Sequence, residues 1–251
     1  MELAQIGQSN RGASFKNVDD HLQSSDVLST TTLFARMGER ERQVIVGCAR
    51  TYKFVRDAVL FAQGQPVLSL ALIRNGSVKL TQSSRDGNEV LMWVSGPGHV
   101  LGLLSGSTTS LHTCTATVLE TGSAWLWNQE QVLVLIQKYP QLAANLGQIL
   151  SDRLCELEER FREVATETVP RRIALMLSRM ARQVGRVTQD GIEIAFSREE
   201  MAKMTGTTLF TVSRVISRMA EDGLVTPRRE AVVVLDRKGL QLMALQGGDC
   251  L

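Results

Sequence analysis

The residues with the clearest chemical use lie between Phe196 and Leu235. Ser197, with Glu199 and Glu200 following in the first turn, forms a helix N-cap and its reciprocal partner, and predicts a short helix through about Met204. Thr205-Gly206-Thr207 breaks that helix, and Thr208 caps a second one running to about Asp222, where Gly223 supplies the stop. In the second helix Val212, Val215, Ile216 and Met219 recur at i, i+3, i+4 and i+7 and so define a buried stripe. At about 100° per residue the opposite side carries Phe210, Thr211, Ser213, Arg214, Ser217 and Arg218, with Phe210 and Arg214 near its centre. Guanidinium groups fork onto guanine, hydroxyls reach phosphates and an apolar ring covers a thymine methyl, so the chemistry is that of a duplex major-groove surface. After Gly223, Leu224-Val225, a turn holding Pro227-Arg228-Arg229, and Ala231 to Leu235 predict a β-hairpin wing whose arginines face the phosphate backbone. A helical hairpin that only fills a core has the same spacing. The basic wing and a Phe on the solvent face argue against that reading.

Something must hold this segment. Pro170 biases Val169 away from the α region and marks a boundary, after which Arg171 to Val184 predicts an amphipathic helix with Ile173, Leu175, Met176, Leu177 and Met180 inward, followed by a loop from Gly185 to Gly191. Before the boundary, from Gln141, Leu150, Leu154, Leu157, Phe161 and Val164 step by four and three residues while Asp152, Arg153, Glu156, Glu158, Glu159, Arg160 and Arg162 fill the other faces. Such a seam packs either on its own domain or on the same helix of a second copy. Further upstream, Val59 to Phe61, Leu68 to Ile73, Ser77 to Gln82, Val90 to Val94 and Ala116 to Glu120 predict short strands. The breaks between them, at Gln63 to Pro66, Asn75-Gly76, Asp86 to Asn88 and Gly96 to Gly98, favour tight turns, and the whole predicts a small β-roll or barrel. The stretch Thr32 to Ala49 predicts a helix against its open end. The expected division is a polar arm over 1–28, a β-roll over 29–138, a linking helix over 139–168 and the winged helix-turn-helix over 169–251.

Composition bounds the rest. A chain of 251 residues with 43% hydrophobic content holds two modest domains, and its 28 Lys and Arg nearly balance 26 Asp and Glu. DNA affinity must then come from local placement of charge. Cys48, Cys114, Cys155 and Cys250 have no C-x-x-C spacing, so they are read as reduced thiols of a cytoplasmic protein with no metal site. No apolar run reaches the roughly 18 residues of a membrane span, and no nucleophile–base pair or phosphate loop points to an enzyme.

With these residues assembled, the chain resembles the superfamily of the cyclic-AMP receptor protein and the fumarate and nitrate reduction regulator, over about Leu33 to Leu242. The resemblance rests on the sensor glycines Gly64, Gly76, Gly87, Gly98 and Gly102. In the reader it rests on Ser197 to Ala202, Thr205 to Thr208, Thr211 to Val215, and Gly223-Leu224-Val225. It implies an α+β fold with an N-terminal cyclic-nucleotide-binding-like jelly roll, a long dimerisation helix and a C-terminal winged helix-turn-helix. The seam from Leu150 to Val164 then becomes a subunit interface. It further implies DNA contacts at Arg198, Thr208, Thr211 and Arg214, with Arg214 the principal base reader; Thr207 joins these as a candidate. Leu209-Phe210 departs from the polar or charged pair of many members. The expected function is a homodimeric transcription regulator on a pseudo-palindromic operator, with duplex DNA as partner, RNA polymerase a candidate partner, and no membrane. The competing reading is a ligand-binding or protein-interaction regulator whose helix-turn-helix has lost DNA.

Members that bind cyclic AMP carry Gly-Glu-Leu and then Arg-Ser-Ala or Arg-Thr-Ala, the Glu accepting the ribose hydroxyl and the Arg neutralising the phosphate. Here the corresponding pocket residues are Gly102-Leu103-Leu104 and Cys114-Thr115-Ala116, and no Arg lies nearby in sequence. Without its cation a phosphate loses its compensation on burial, so cyclic AMP is not expected and the effector and any cofactor stay open. His99 and His112 as haem ligands and Cys114 as a redox thiol are weighed against ordinary structural roles, which are the commoner case.

Overall fold

The computed structural model describes residues 27–102 and 110–245; the expected arm up to residue 26, and Leu103 and Leu104 of the expected pocket, lie outside them. The alternating first half closes into an antiparallel roll of β1 (Arg50–Phe54), β2 (Val59–Phe61), β3 (Ser69–Ser83), β4 (Glu89–Ser95), β5 (Val100–Leu101) and β6 (Thr115–Asn128). Its strand order is β1-β6-β3-β4, with β2 paired to β6 and β5 to β3. The two strands predicted on either side of Asn75-Gly76 are one 15-residue strand. Gly76 has a φ of 78°, and a Cβ there would lie 2.6 Å from the Glu120 carbonyl oxygen. The glycine thus marks an irregularity pressed against β6, where the register shifts, rather than a hairpin turn. The helix predicted over Thr32 to Ala49 is a 3-10 turn, Thr32–Phe34, and a separate helix α1 (Glu39–Gly47). Arg36 between them has a φ of 59°, which no continuous helix accommodates.

Helix α2 (Gln129–Lys138), unpredicted, starts on an Asn128–Gln131 capping box and leads into the 27-residue helix α3 (Pro140–Thr166). That helix stops before Pro170, as predicted, and α4 (Val169–Gln183) begins with the proline in its first turn, where a missing N–H costs nothing. The expected loop after it contains β7 (Arg186–Val187), which pairs with β8 (Ile192–Ile194). The reader continues with α5 (Arg198–Thr205), α6 (Leu209–Glu221), β9 (Val225–Pro227), β10 (Val232–Val234) and α7 (Arg237–Leu245). Strands of two or three residues in the order β7-β8-β10-β9 form its sheet.

The reader is seated on the sensor. Its core of Ile173, Met176, Leu177, Met180, Phe196, Met201, Val212, Ile216 and Met219 is continuous with Leu91 and Val94 of β4. Around this apolar contact, Lys79 donates to Glu200 at 2.7 Å and Lys203 to Glu89 at 2.8 Å. Helix α3 is tied in by buried charge: Arg160 donates to the carbonyls of Met92 and Leu91 with its guanidinium over the Trp93 ring, and Arg179 of α4 forks onto Glu163, one arm at 2.9 Å.

Two measurements follow from this seat. Glu163 is 3% exposed, so Glu163→Ala leaves the Arg179 cation buried without its partner and should cost about 3 kcal/mol in urea unfolding; a loss under about 1 kcal/mol would mean that water replaces the carboxylate. Glu89 ionises below the ordinary 4.5 because Lys203 donates to it, and Glu200 does so because the bonds from Lys79 and Ser197 outweigh the opposing effect of burial. Carboxylates lowered by folding stabilise fully above their unfolded pKa and cease to as pH falls through the folded one. The seat should therefore loosen below about pH 4.5, and Glu89→Gln should flatten that acid limb, read by tryptophan fluorescence during acid titration.

Candidate nucleic-acid interface

The caps read from sequence are the ones that build the reader. Ser197 Oγ accepts from the Glu200 N–H at 3.2 Å while Glu200 Oε2 accepts from the Ser197 N–H at 2.9 Å. Glu200 is therefore shared between this cap and Lys79 of the sensor, a link that no local pattern signals. Gly206 takes the left-handed conformation, φ 62°, between the helices. Thr208 Oγ1 accepts from the Thr211 N–H at 3.2 Å and lies 3.0 Å from the Thr211 hydroxyl, so this pair both starts α6 and presents two oxygens beside its first turn.

Helix α6 buries Val212, Val215, Ile216 and Met219, the predicted stripe. On its other side Phe210 is 84% exposed, and Arg214, Ser217 and Arg218 are exposed while Thr207, Thr211 and Ser213 are half-buried. A ring that open to water covers no core of its own chain. The wing forms at β9 and β10 as expected, with Arg228 and Arg229 exposed between them. Its two arginines differ, however. Arg228 is held by Glu193 and by Asp190 at 3.4 Å, and its carbonyl accepts from Arg198 at 3.5 Å. Arg228 and Arg198 thus have contacts within the chain, whereas among the described residues no ion pair holds Arg214, Arg218 or Arg229.

The expected pocket residues are differently placed. Cys114 and Ala116 are packed into the sheet core with Ile73, Leu80 and Leu101, and Thr115 Oγ1 accepts from the Gln63 N–H at 3.0 Å. Gly102 has a φ of 70°, and a Cβ there would meet the Ser69 carbonyl oxygen at 2.2 Å. Burial raises the pKa of the Cys114 thiol, which keeps it protonated and a poor redox nucleophile. His112 stacks on Phe61 with centroids 3.6 Å apart, and burial lowers its pKa. His99 Nδ1 accepts from the Gly96 N–H at 3.2 Å, and burial, with the Arg153 charge adding, lowers its pKa also. His112 and His99 thus each have a partner within the sensor. Among the described residues no group of His, Cys, Asp and Glu is arranged to hold a metal ion. One cation that the sequence pattern assigned to a solvated flank, Arg153, instead points into the sensor and donates to the Val100 carbonyl.

Along α3, Leu150, Leu154, Leu157, Phe161 and Val164 are all exposed, Phe161 at 76%. The side buried within the chain is a different one, carrying Leu142, Asn145, Ile149, Arg153, Glu156, Arg160 and Glu163, about 100° around the helix. The apolar seam is left to water in the single chain.

Comparison with known proteins agrees with this geometry. Residues 171–243 match the Crp-like helix-turn-helix domain and residues 52–139 the cyclic nucleotide-binding domain. The chain is 30% identical over 192 residues to the transcriptional activator protein anr of Pseudomonas aeruginosa, covering 75% of this chain and 77% of that one. It is 27% identical over 191 residues to the CRP-like cAMP-activated global transcriptional regulator of Mycobacterium tuberculosis, covering 74% and 84%. Among solved structures, FixK2 from Bradyrhizobium japonicum superposes with a TM-score of 0.69 at 21% identity, covering 80% of this chain and 99% of that one. No helix among the described residues is long and apolar enough to cross a membrane. With a sensor roll, a long linking helix and a winged reader in one order, and with relatives of matching extent that are transcription regulators, this chain belongs to the Crp/Fnr family of transcription regulators.

Proposed function

We propose that this regulator acts in the cytoplasm as a homodimer that reads a pseudo-palindromic operator through α6, its half-sites about one helical turn apart. The observation that carries the reading is the open face of α6, where Phe210, Arg214, Ser217 and Arg218 are exposed over a fully buried stripe. In this reading Arg214 forks onto a base, Phe210 lies on a thymine methyl, Thr207, Thr208, Thr211 and Ser213 serve phosphates or base edges, and Arg218 and Arg229 neutralise backbone. Arg198 and Arg228 hold the wing at its angle. The exposed seam on α3 is the dimer interface, the sensor spans 29–138 and the reader 169–251. RNA polymerase is a further partner, reached from the same DNA.

Cyclic AMP is not the effector in this reading. Neither 102–104 nor 114–116 holds a carboxylate or a guanidinium, and Cys114 and Ala116 are consumed by the sheet core. A second reading, docking of the reader on protein instead of DNA, draws on the exposure of Leu209 beside Phe210. Affinity that does not change with salt would favour it, since phosphate contacts release counterions.

Selection of bound sequences from a random duplex library tests the main reading. Arg214→Ala should weaken operator binding by about 1–3 kcal/mol and relax preference at one base pair per half-site; an unchanged ratio of operator to random duplex removes Arg214 from base reading. Phe161→Glu places a charge in the apolar seam and should give monomers in sedimentation velocity with the secondary structure retained. A variant that still sediments as a dimer would move the interface elsewhere.

A further inference from the structure

A cavity of about 160 Å³ lies where the sensor turn Gly98 to Val100, helix α3 and the end of α4 meet. Of the expected pocket residues that the structure describes, Gly102, Cys114, Thr115 and Ala116 do not line it. Its apolar lining is Trp93, Val94, Val100 and Ile149. Its charged lining, Arg153 with Asp152 and Glu156, comes from the same helix α3 as Ile149.

The positive group is under-compensated. Arg153 is largely buried, its guanidinium donates to the Val100 carbonyl, and among the described residues no carboxylate forms an ion pair with it. A buried cation in this state is stabilised by a carboxylate that accepts its fork. Among the described residues Glu156 accepts hydrogen bonds only from Gln183 Nε2, at 3.4 Å, and faces the Arg153 charge without an ion pair, while Asp152, exposed, accepts from Gln148 at 2.7 Å. A ligand that is only an anion meets two carboxylates, and one that is only a cation meets Arg153. A molecule carrying both charges close together meets a partner for each.

Size narrows it further. A cavity of about 150 Å³ takes a molecule as large as benzene, whereas sites for drug-sized ligands begin at about 300 Å³. We infer that this cavity binds a small zwitterion, an α-amino acid with an apolar side chain, its carboxylate on Arg153, its ammonium toward Glu156 and Asp152, and its side chain on Trp93, Val94 and Ile149. Taken with the regulator reading above, on which this part rests, the amino acid is the effector. Its ammonium draws Glu156 away from Gln183, a residue of the reader's own α4, so occupancy acts directly on the joint between α3 and reader.

The test is calorimetric titration of the full chain with L-leucine, then with isocaproate, which lacks the amine, and isoamylamine, which lacks the carboxylate. Leucine or another apolar amino acid should bind, and each analogue should bind at least about tenfold more weakly. Arg153→Met and Glu156→Gln should each remove the heat of binding. Ile149→Trp, which fills the cavity but keeps both charges, should remove it too, so the inference does not depend on an Arg153 variant folding. Failure of every standard amino acid to bind, equal binding of isocaproate, or normal binding to a folded Ile149→Trp variant would each overturn it. The duplex selection run on the same protein separates the two claims: an operator selected by a chain that binds no amino acid sinks the cavity site alone. Amino-acid binding by a chain that selects no DNA upholds the site and sinks the regulator reading.

Discussion

Helix α3 carries two faces that one chain cannot bury together. Leu142, Asn145, Ile149, Arg153, Glu156, Arg160 and Glu163 turn toward the chain's own sensor and reader, and Leu150, Leu154, Leu157, Phe161 and Val164 turn away from both. With about 3.6 residues per turn these stripes stand roughly a quarter-turn apart, so any rotation that buries one exposes the other. The inward stripe wins inside the chain although it is the more polar of the two, because its charges have specific partners there. Arg160 takes the carbonyls of Leu91 and Met92 in β4, and Glu163 takes the fork of Arg179. Everything else in the architecture depends on that choice, since it points the apolar stripe outward and fixes the reader relative to the sensor.

The same choice explains why the reader and sensor share a core. Once Glu163 holds α4 through Arg179, the inner face of α4 lies over β4, and Leu91 and Val94 become part of the reader's own packing. Lys79 and Lys203 then reach Glu200 and Glu89 at the edge of that contact. Exposed pairs such as Arg56 with Glu230 and Arg186 with Glu120 add little, as surface ion pairs generally do. Apolar burial and the partly buried lysine pairs therefore hold the two bodies.

Local pattern made much of the reader legible. Ser197 and Glu200, Gly206, Thr208 and the stripe from Val212 to Met219 act within a few residues of one another, so their spacing contains the geometry. The sensor was harder to read for the opposite reason. Gly76 looks like a turn glycine, but its conformation answers to the β6 backbone more than forty residues away, and β7 and β8, two and three residues long, have no periodicity to detect. Arg153, Arg160 and Glu163 read as a solvated flank because charge beside an apolar seam usually is one. Only the sheet carbonyls and Arg179, supplied from elsewhere in the chain, make the burial of Arg160 and Glu163 tolerable.

The sequence by itself determined the order of bodies, the start and stop of α5 and α6, and which side of the second helix faces outward, because caps and 3.6-residue stripes are properties of contiguous residues. The tertiary structure alone decided which of the two stripes on α3 is satisfied within the chain, that Arg228 meets Glu193 and Asp190, and that Glu200 serves both a cap and the sensor. It also decided that a cation from α3 stands in the sensor where the local sequence offers none. Each of those outcomes rests on groups brought together across tens of residues, where long-range packing and the cost of burying charge govern, and local spacing carries no record of them.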